Sequence, residues 1–326
     1  MLIARRRREI MLGLALLAVL ALLPLGVSGT YLRGLIVLAL LYAGLSQAWN
    51  ILGGYCGQIS LGHALYFGIG AYVSTLLFVR FDITPLAGMF AGGLLAGLAA
   101  FLVGIPCFRL SGHYYAIATI VIGAMAALLA ANWDFISAAQ GITIPFHTEN
   151  WINLQFRTAV LPFHYVMLAY AAVVWIVAWL IEGSRWGFFW RAVKDDAAAA
   201  QSLGISIYPS KLAAAAISGA ATGIGGALYA QYVGFIDPES AFDLSLSVMI
   251  ALPAVVGGIG TLFGPFLGAA VMIPVQQLSV AWFGGAAGGI DLMVYGGLII
   301  ALASVRPEGL VSFFGDGAVK KITEHG

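Results

Sequence analysis

Pro85 to Cys107 reads PLAGMFAGGLLAGLAAFLVGIPC, a run without one charged side chain. A bilayer core is about 30 Å thick and an α-helix needs about 20 apolar residues to cross it, so this stretch has the length and chemistry of a transmembrane helix. Runs of the same kind recur near 10–28, 34–53, 63–80, 113–131, 160–181, 211–233, 242–257, 262–282 and 287–305. Together they predict an all-α, polytopic helical membrane protein with about 8–10 transmembrane helices. The run 242–257 is short for a span and is followed by Gly257, Gly258 and Gly260, which predicts a broken or re-entrant element there.

Composition agrees with that reading along the whole chain. Of 326 residues, 61% are hydrophobic and 9% are charged, whereas a soluble domain carries about 25% charged residues. No segment is left over for a separate soluble core, so 10–305 reads as one transmembrane domain, with 1–9 and 306–326 as short tails. The net charge of +1 gives no reason to expect nucleic acid. Cys56 and Cys107 show neither metal-ligand nor disulfide spacing and read as small packing residues. Arg5 to Arg8 precede the apolar run from Ile10 to Val27, which fits an uncleaved first span better than a removed signal peptide, given the spans that follow.

Where the cations sit predicts orientation. With the N-terminus placed inside, Arg5, Arg6, Arg7, Arg8, Arg109, Arg185, Arg191, Lys194, Lys211, Arg306, Lys320 and Lys321 fall on the cytoplasmic side. Arg33, Arg80 and Arg157 fall outside, and the two groups account for all 15. Cytoplasmic loops are enriched in Lys and Arg, so both termini are expected in the cytoplasm.

Two hydrophilic segments interrupt the spans. Asn132 to Thr158 is predicted outside, with Trp133 and Trp151 at interfacial depth. Glu182 to Ser210 is predicted cytoplasmic and carries Arg185, Arg191, Lys194, Asp195 and Asp196. Within it, Ala197 to Leu203 has high helix propensity, Asp195 or Asp196 can cap its start, and Gly204 can end it. The expectation is one short surface helix between two turns, able to dock in a groove on another subunit. A weak internal repeat also appears: GGYCGQISLGHA from Gly53 resembles GGIGTLFGPFLGA from Gly257. It is either a duplicated helical unit or a chance match in a chain with 42 glycines.

No GxxxxGK[ST] phosphate loop, HExxH pair or Ser-centred nucleophile elbow occurs. The chain is therefore expected to be neither an ATPase nor an enzyme of a recognisable hydrolytic class, and to bind no cofactor or metal itself. The densest polar cluster in an apolar region is Asn50, Gln58, Ser60 and His63, interleaved with Gly53, Gly54, Gly57 and Gly62. Polar groups at membrane depth need partners or water, and glycines there allow a helix to break and line a path. The cluster is a candidate substrate pathway; its alternative is hydrogen bonding between helices at a tight crossing. Intramembrane acids are nearly absent, and His63 and His113, at span edges, are the candidates for a proton relay, which argues against ion coupling. An ATPase-independent secondary transporter remains the rival reading, and a membrane-embedded enzyme a more distant one.

GGYCGQISLGHALYFGIGAY, RLSGHYYAIATIVIG and RWGFFWRAVKDDAAAAQSLGI, in that order, resemble the permease subunits of branched-chain amino acid ABC importers, from about Leu35 to Pro307. The resemblance implies a second homologous permease, two cytoplasmic ATPase subunits that bind ATP and Mg, and a periplasmic solute-binding protein. It also implies that Ser184 to Gly204 is the coupling segment that enters an ATPase cleft, with Arg185, Arg191, Lys194, Asp195, Asp196 and Gly204 as coupling residues. The chain departs from the family pattern at Ala124 and Met125, where a glutamate is usual, at Ser137 to Gln140, where paired glycines are frequent, and at Ala197, where an acid is usual. These differences leave the solute open between branched-chain amino acids and urea, amides or aromatic acids.

Overall fold

The computed structural model describes residues 2–110, 112–147, 149–156, 160–283, 296–297 and 309–314. Twelve α-helices follow one another among them: α1 (Leu2–Gly26), α2 (Thr30–Asn50), α3 (His63–Phe81), α4 (Pro85–Cys107), α5 (His113–Ala131), α6 (Leu161–Glu182), α7 (Arg185–Asp195), α8 (Ala197–Ser202), α9 (Ile207–Val233), α10 (Pro238–Ala241), α11 (Leu244–Gly258) and α12 (Gly264–Phe283). Nine helical segments among the described residues are long and apolar enough to cross a membrane. The protein is an all-α polytopic membrane protein. The tenth expected span, 287–305, and the tail 306–326 lie almost wholly outside the described residues.

Three differences from the sequence reading have local causes. The first helix starts at Leu2, so Arg5 to Arg8 are part of it rather than a flank. The eighth span is not short: Asp237 caps α10, its Oδ1 accepting from the Ser240 N–H at 2.9 Å, and α10 and α11 together make the crossing Pro238–Gly258. The second span, expected over 34–53, leaves α-helical geometry at Asn50 and ends in a π-helical turn, Ile51–Tyr55, a wider coil that marks functional sites in many helices. The broken or re-entrant element expected after 242–257 is not seen: α11 stops at Gly258, α12 starts at Gly264, and the glycine-rich stretch connects two full-length candidate spans.

Small residues set the packing of α3, α4 and α9, which form the most closely associated triplet. A methyl group on Gly70 would strike the Gly223 backbone, one on Gly226 the Phe67 carbonyl, and one on Gly97 would come within 2.9 Å of the Ala216 oxygen. Lipid offers no hydrophobic drive for helices to associate, so close backbone approach and dispersion contacts hold such a triplet together. A second group surrounds α2, which packs on α6, α11 and α12 and is buried over most of its length. By contrast α1 and α5 leave most of their apolar surface outward.

Connectors alternate between the two ends of the bundle. Lys194 between α6 and α9 reaches Gly54 between α2 and α3, and Asn50 reaches Gly260 between α11 and α12. At the opposite end the segment after α5 folds over the bundle: β1 (Ile142–Thr143) pairs antiparallel with β2 (Phe235–Ile236), and Arg80 lies 4.4 Å over the Phe135 ring. The described part of the hydrophilic segment, 132–147 and 149–156, is thus a cap that pairs with the strand between α9 and α10.

Candidate functional site

The polar cluster read from the sequence lies where α2 breaks and α3 begins. His63 is fully buried at the start of α3. Its Nε2 is 2.9 Å from Ser218 Oγ on α9, and its Nδ1 is 3.2 Å from Ser60 Oγ. The Ser218 hydroxyl donates to the Ala48 carbonyl at 2.7 Å, so its oxygen must accept from His63. That assigns the neutral imidazole with the proton on Nε2, and leaves Nδ1 to accept from Ser60. Ser60 Oγ also accepts from the Gly62 N–H at 3.3 Å, and the Ser60 carbonyl accepts from Trp49 Nε1 at 2.7 Å.

Further hydroxyls complete the join. Thr119 Oγ1 on α5 accepts from the Leu61 N–H at 3.1 Å, and Ser247 Oγ on α11 accepts from the Ala64 N–H at 2.8 Å. A helix start leaves several N–H groups without intrahelical partners, and α3 has no side-chain cap at Gly62. Ser247 supplies the partner from another helix. Gln58 is half-buried and donates to the Cys56 carbonyl at 3.3 Å. Asn50, Ser60 and His63 are each fully buried, and together with Ser218, Thr119 and Ser247 they tie α2, α3, α5, α9 and α11.

Asn50 makes the second junction. Its Oδ1 accepts from the Gly260 N–H at 2.8 Å and its Nδ2 donates to the Thr261 carbonyl at 2.9 Å. The two glycine-rich segments that resemble each other in sequence therefore touch. Each lies between the end of one membrane helix and the start of the next, and a methyl group on Gly54 would stand 2.7 Å from the Gly260 nitrogen.

Two consecutive helices, rather than one, form the surface segment between α6 and α9. Ser184 caps α7 through the Gly187 N–H at 3.4 Å, and the fully buried Trp190 anchors it against the bundle. Where the sequence reading expects a turn before the short helix, Arg185–Asp195 is itself helical, ordered by Trp190 packed into the bundle core. For α8, Asp196 Oδ1 accepts from the Ala198 and Ala199 N–H groups at 2.8 and 3.0 Å, and Gly204 ends the unit at φ +84°. Val193, Ala200 and Ile205 form a small core joining the two helices.

The charged residues of this unit have different surroundings. Arg185, Asp195 and Asp196 face outward. Arg191 folds back to Glu182, with 3.3 Å to the carboxylate and 2.9 Å to the backbone carbonyl. Lys194 donates to the Gly54 carbonyl at 2.8 Å. What the sequence reading missed is apolar: Leu203, 82% exposed, stands at the tip of α8, and Trp186 and Phe188 are exposed on α7.

His164, in the first turn of α6, is buried and donates from Nε2 to the Leu20 carbonyl at 2.9 Å. An apolar cleft of about 560 Å³ between α4, α6 and α9, lined by Leu86, Phe90, Val173 and Ile224 among others, offers almost no polar group to a zwitterion. Among the described residues no group of three or more His, Cys, Asp or Glu is placed to hold a metal ion.

Comparison with known proteins places this architecture. The family described as "Branched-chain amino acid transport system / permease component" matches residues 31–303. The high-affinity branched-chain amino acid transport system permease protein LivM of Escherichia coli (strain K12) is 29% identical, over 90% of this chain and 74% of that protein. LivH of the same strain is 25% identical over 74% of this chain and 82% of its own length. The autoinducer 2 import system permease protein LsrC of Enterobacter sp. (strain 638) is 28% identical over 39% of each chain. No solved structure matches. With a match from the start of α2 to beyond α12 and a LivM-type resemblance over nine-tenths of its length, the chain belongs to the family of branched-chain amino acid transport permease components.

Proposed function

We propose that this chain is one of two homologous permeases in an inner-membrane ABC importer, moving a small polar solute inward with ATP and Mg held by two partner ATPases. The observation that carries this reading is the α7–α8 unit. It is a capped two-helix segment with an exposed leucine at its tip, seated at the bundle end where both helix breaks meet. An aliphatic side chain 82% exposed to water is what a subunit interface covers. The cation distribution supports a cytoplasmic position for that end, where ATPases would meet it. A periplasmic binding protein would then face the cap formed by the described residues 132–147 and 149–156.

The similarity to both LivM and LivH supports a paired arrangement and branched-chain amino acids as the first solutes to test. Asn50, Gln58, Ser60 and His63 remain the proposed pathway region. In this conformation three of them are enclosed, so solute would reach them by an alternating-access rearrangement of the breaks they join.

Proteoliposomes test the proposal. Vesicles holding the chain with its second permease and ATPase pair, supplied with binding protein and ATP, should accumulate leucine, isoleucine or valine, while the chain alone should not. Urea, an aliphatic amide and an aromatic amino acid form the comparison set. Uphill accumulation by the chain alone, or failure of any nucleotide-binding subunit to co-purify, would overturn it in favour of a secondary transporter.

A further inference from the structure

Lys194 is exposed, yet its side chain lies along both helix breaks. Its stem crosses Gly57, where a methyl group would come within 2.9 Å of Lys194 Cγ and 3.3 Å of its Cα. Its ammonium donates to the Gly54 carbonyl at 2.8 Å. A methyl on Gly260 would lie 3.2 Å from the same Nζ and 3.0 Å from the Gly54 oxygen. Two glycines, Gly57 and Gly260, one from each helix break, thus leave room for one lysine of α7. Asn50 fastens the same breaks to each other through Gly260 and Thr261.

A cation suits this place for a physical reason. Gly54 sits in the last turn of the π-helical segment, where carbonyls lack intrahelical partners and carry the negative end of the helix dipole. Lysine near a helix end satisfies such carbonyls, and here it comes from another segment. Because the acceptor is backbone, displacement of Lys194 is imposed on the main chain of the break and not on a side chain that can swing aside.

We propose that Lys194 and Asn50 are positioning residues that carry movement of α7–α8 into both helix breaks at once, Lys194 holding the surface unit to the π turn and Asn50 holding the π turn to the segment after α11. The proposal rests on the reading of the chain as a subunit driven through α7–α8. It assigns Lys194 to the inner side of the coupling unit, leaving Leu203 and the outward charges for the ATPase. Arg191 cannot substitute, since it is held by Glu182.

Two measurements on Lys194→Met decide it. In the assembled transporter, ATP hydrolysis should stay near wild type while uptake falls about fivefold, the scale of one lost hydrogen bond, so the ATP used per solute rises. In the purified subunit carrying Cys107→Ala, maleimide labelling of the buried Cys56, next to Gly57, should accelerate by a similar factor. Lys194→Arg should restore part of both. Unchanged coupling with an unchanged Cys56 rate would overturn the proposal, as would loss of the ATPases from the complex, which would make Lys194 a subunit contact. If the wild-type chain recruits no ATPase, the functional reading fails, while the Cys56 rate still decides whether Lys194 secures the break.

Discussion

At the scale of single residues, burial makes His63 a stabilising junction whose hydrogen bonds are all satisfied in the neutral form. Both ring nitrogens meet serine hydroxyls, and the edge of the ring faces Tyr66 at 5.5 Å between centroids. His63→Phe keeps the ring contacts and deletes the hydrogen bonds, leaving Ser60 and Ser218 each short of a partner. Such losses cost about 1–3 kcal/mol when the remaining groups are buried, so the purified protein in detergent should melt several degrees lower. Ser218→Ala should cost a comparable amount, and the double variant less than the sum, because both delete one shared bond. The cluster Asn50, Ser60 and His63 was visible in the sequence as polar residues in an apolar region. Its partners were not. Thr119, Ser218, Ser247 and Thr261 are 58 to 211 positions away in the chain, and a lone Ser or Thr in an apolar run bonds its own helix as readily as another.

At the scale of elements, α8 is a six-residue helix held by its two ends. A helix this short does not persist by propensity; the Asp196 cap and the left-handed Gly204 define it. A methyl group on Gly204 would meet nothing within 4 Å, so the constraint there is the backbone and not space. Gly204→Val therefore costs about 1–2 kcal/mol of left-handed strain, enough to fray α8. ATP hydrolysis should continue while uptake drops several-fold, and amide exchange at 198–203 should quicken. Gly204→Asn, which tolerates this conformation, should behave nearly as wild type. Cap, helix and stop of α8 were legible because each rests on local residue chemistry. Helix α7 was not, since its order comes from Trp190 packed on the bundle.

At the scale of the whole molecule, the arrangement of α3, α4 and α9 depends on backbones that nearly touch. Gly226→Val would drive a side chain into the Phe67 carbonyl, where overpacking costs about 1–3 kcal/mol or more. The variant should lose most of its monodisperse peak on size-exclusion chromatography. Gly26→Val, with nothing within 4 Å of its added methyl, should not. Fold class, the approximate span positions and the family motifs were determined by the sequence alone, because a bilayer requires an apolar run for each crossing and that requirement is written locally in every helix. Tertiary structure alone decided which helices meet, that the two glycine-rich segments are joined through Asn50, and that Lys194 bonds the Gly54 carbonyl. Those contacts depend on where distant backbones lie in space, and hydrophobicity, which is nearly the same on every face of these helices, carries no record of it.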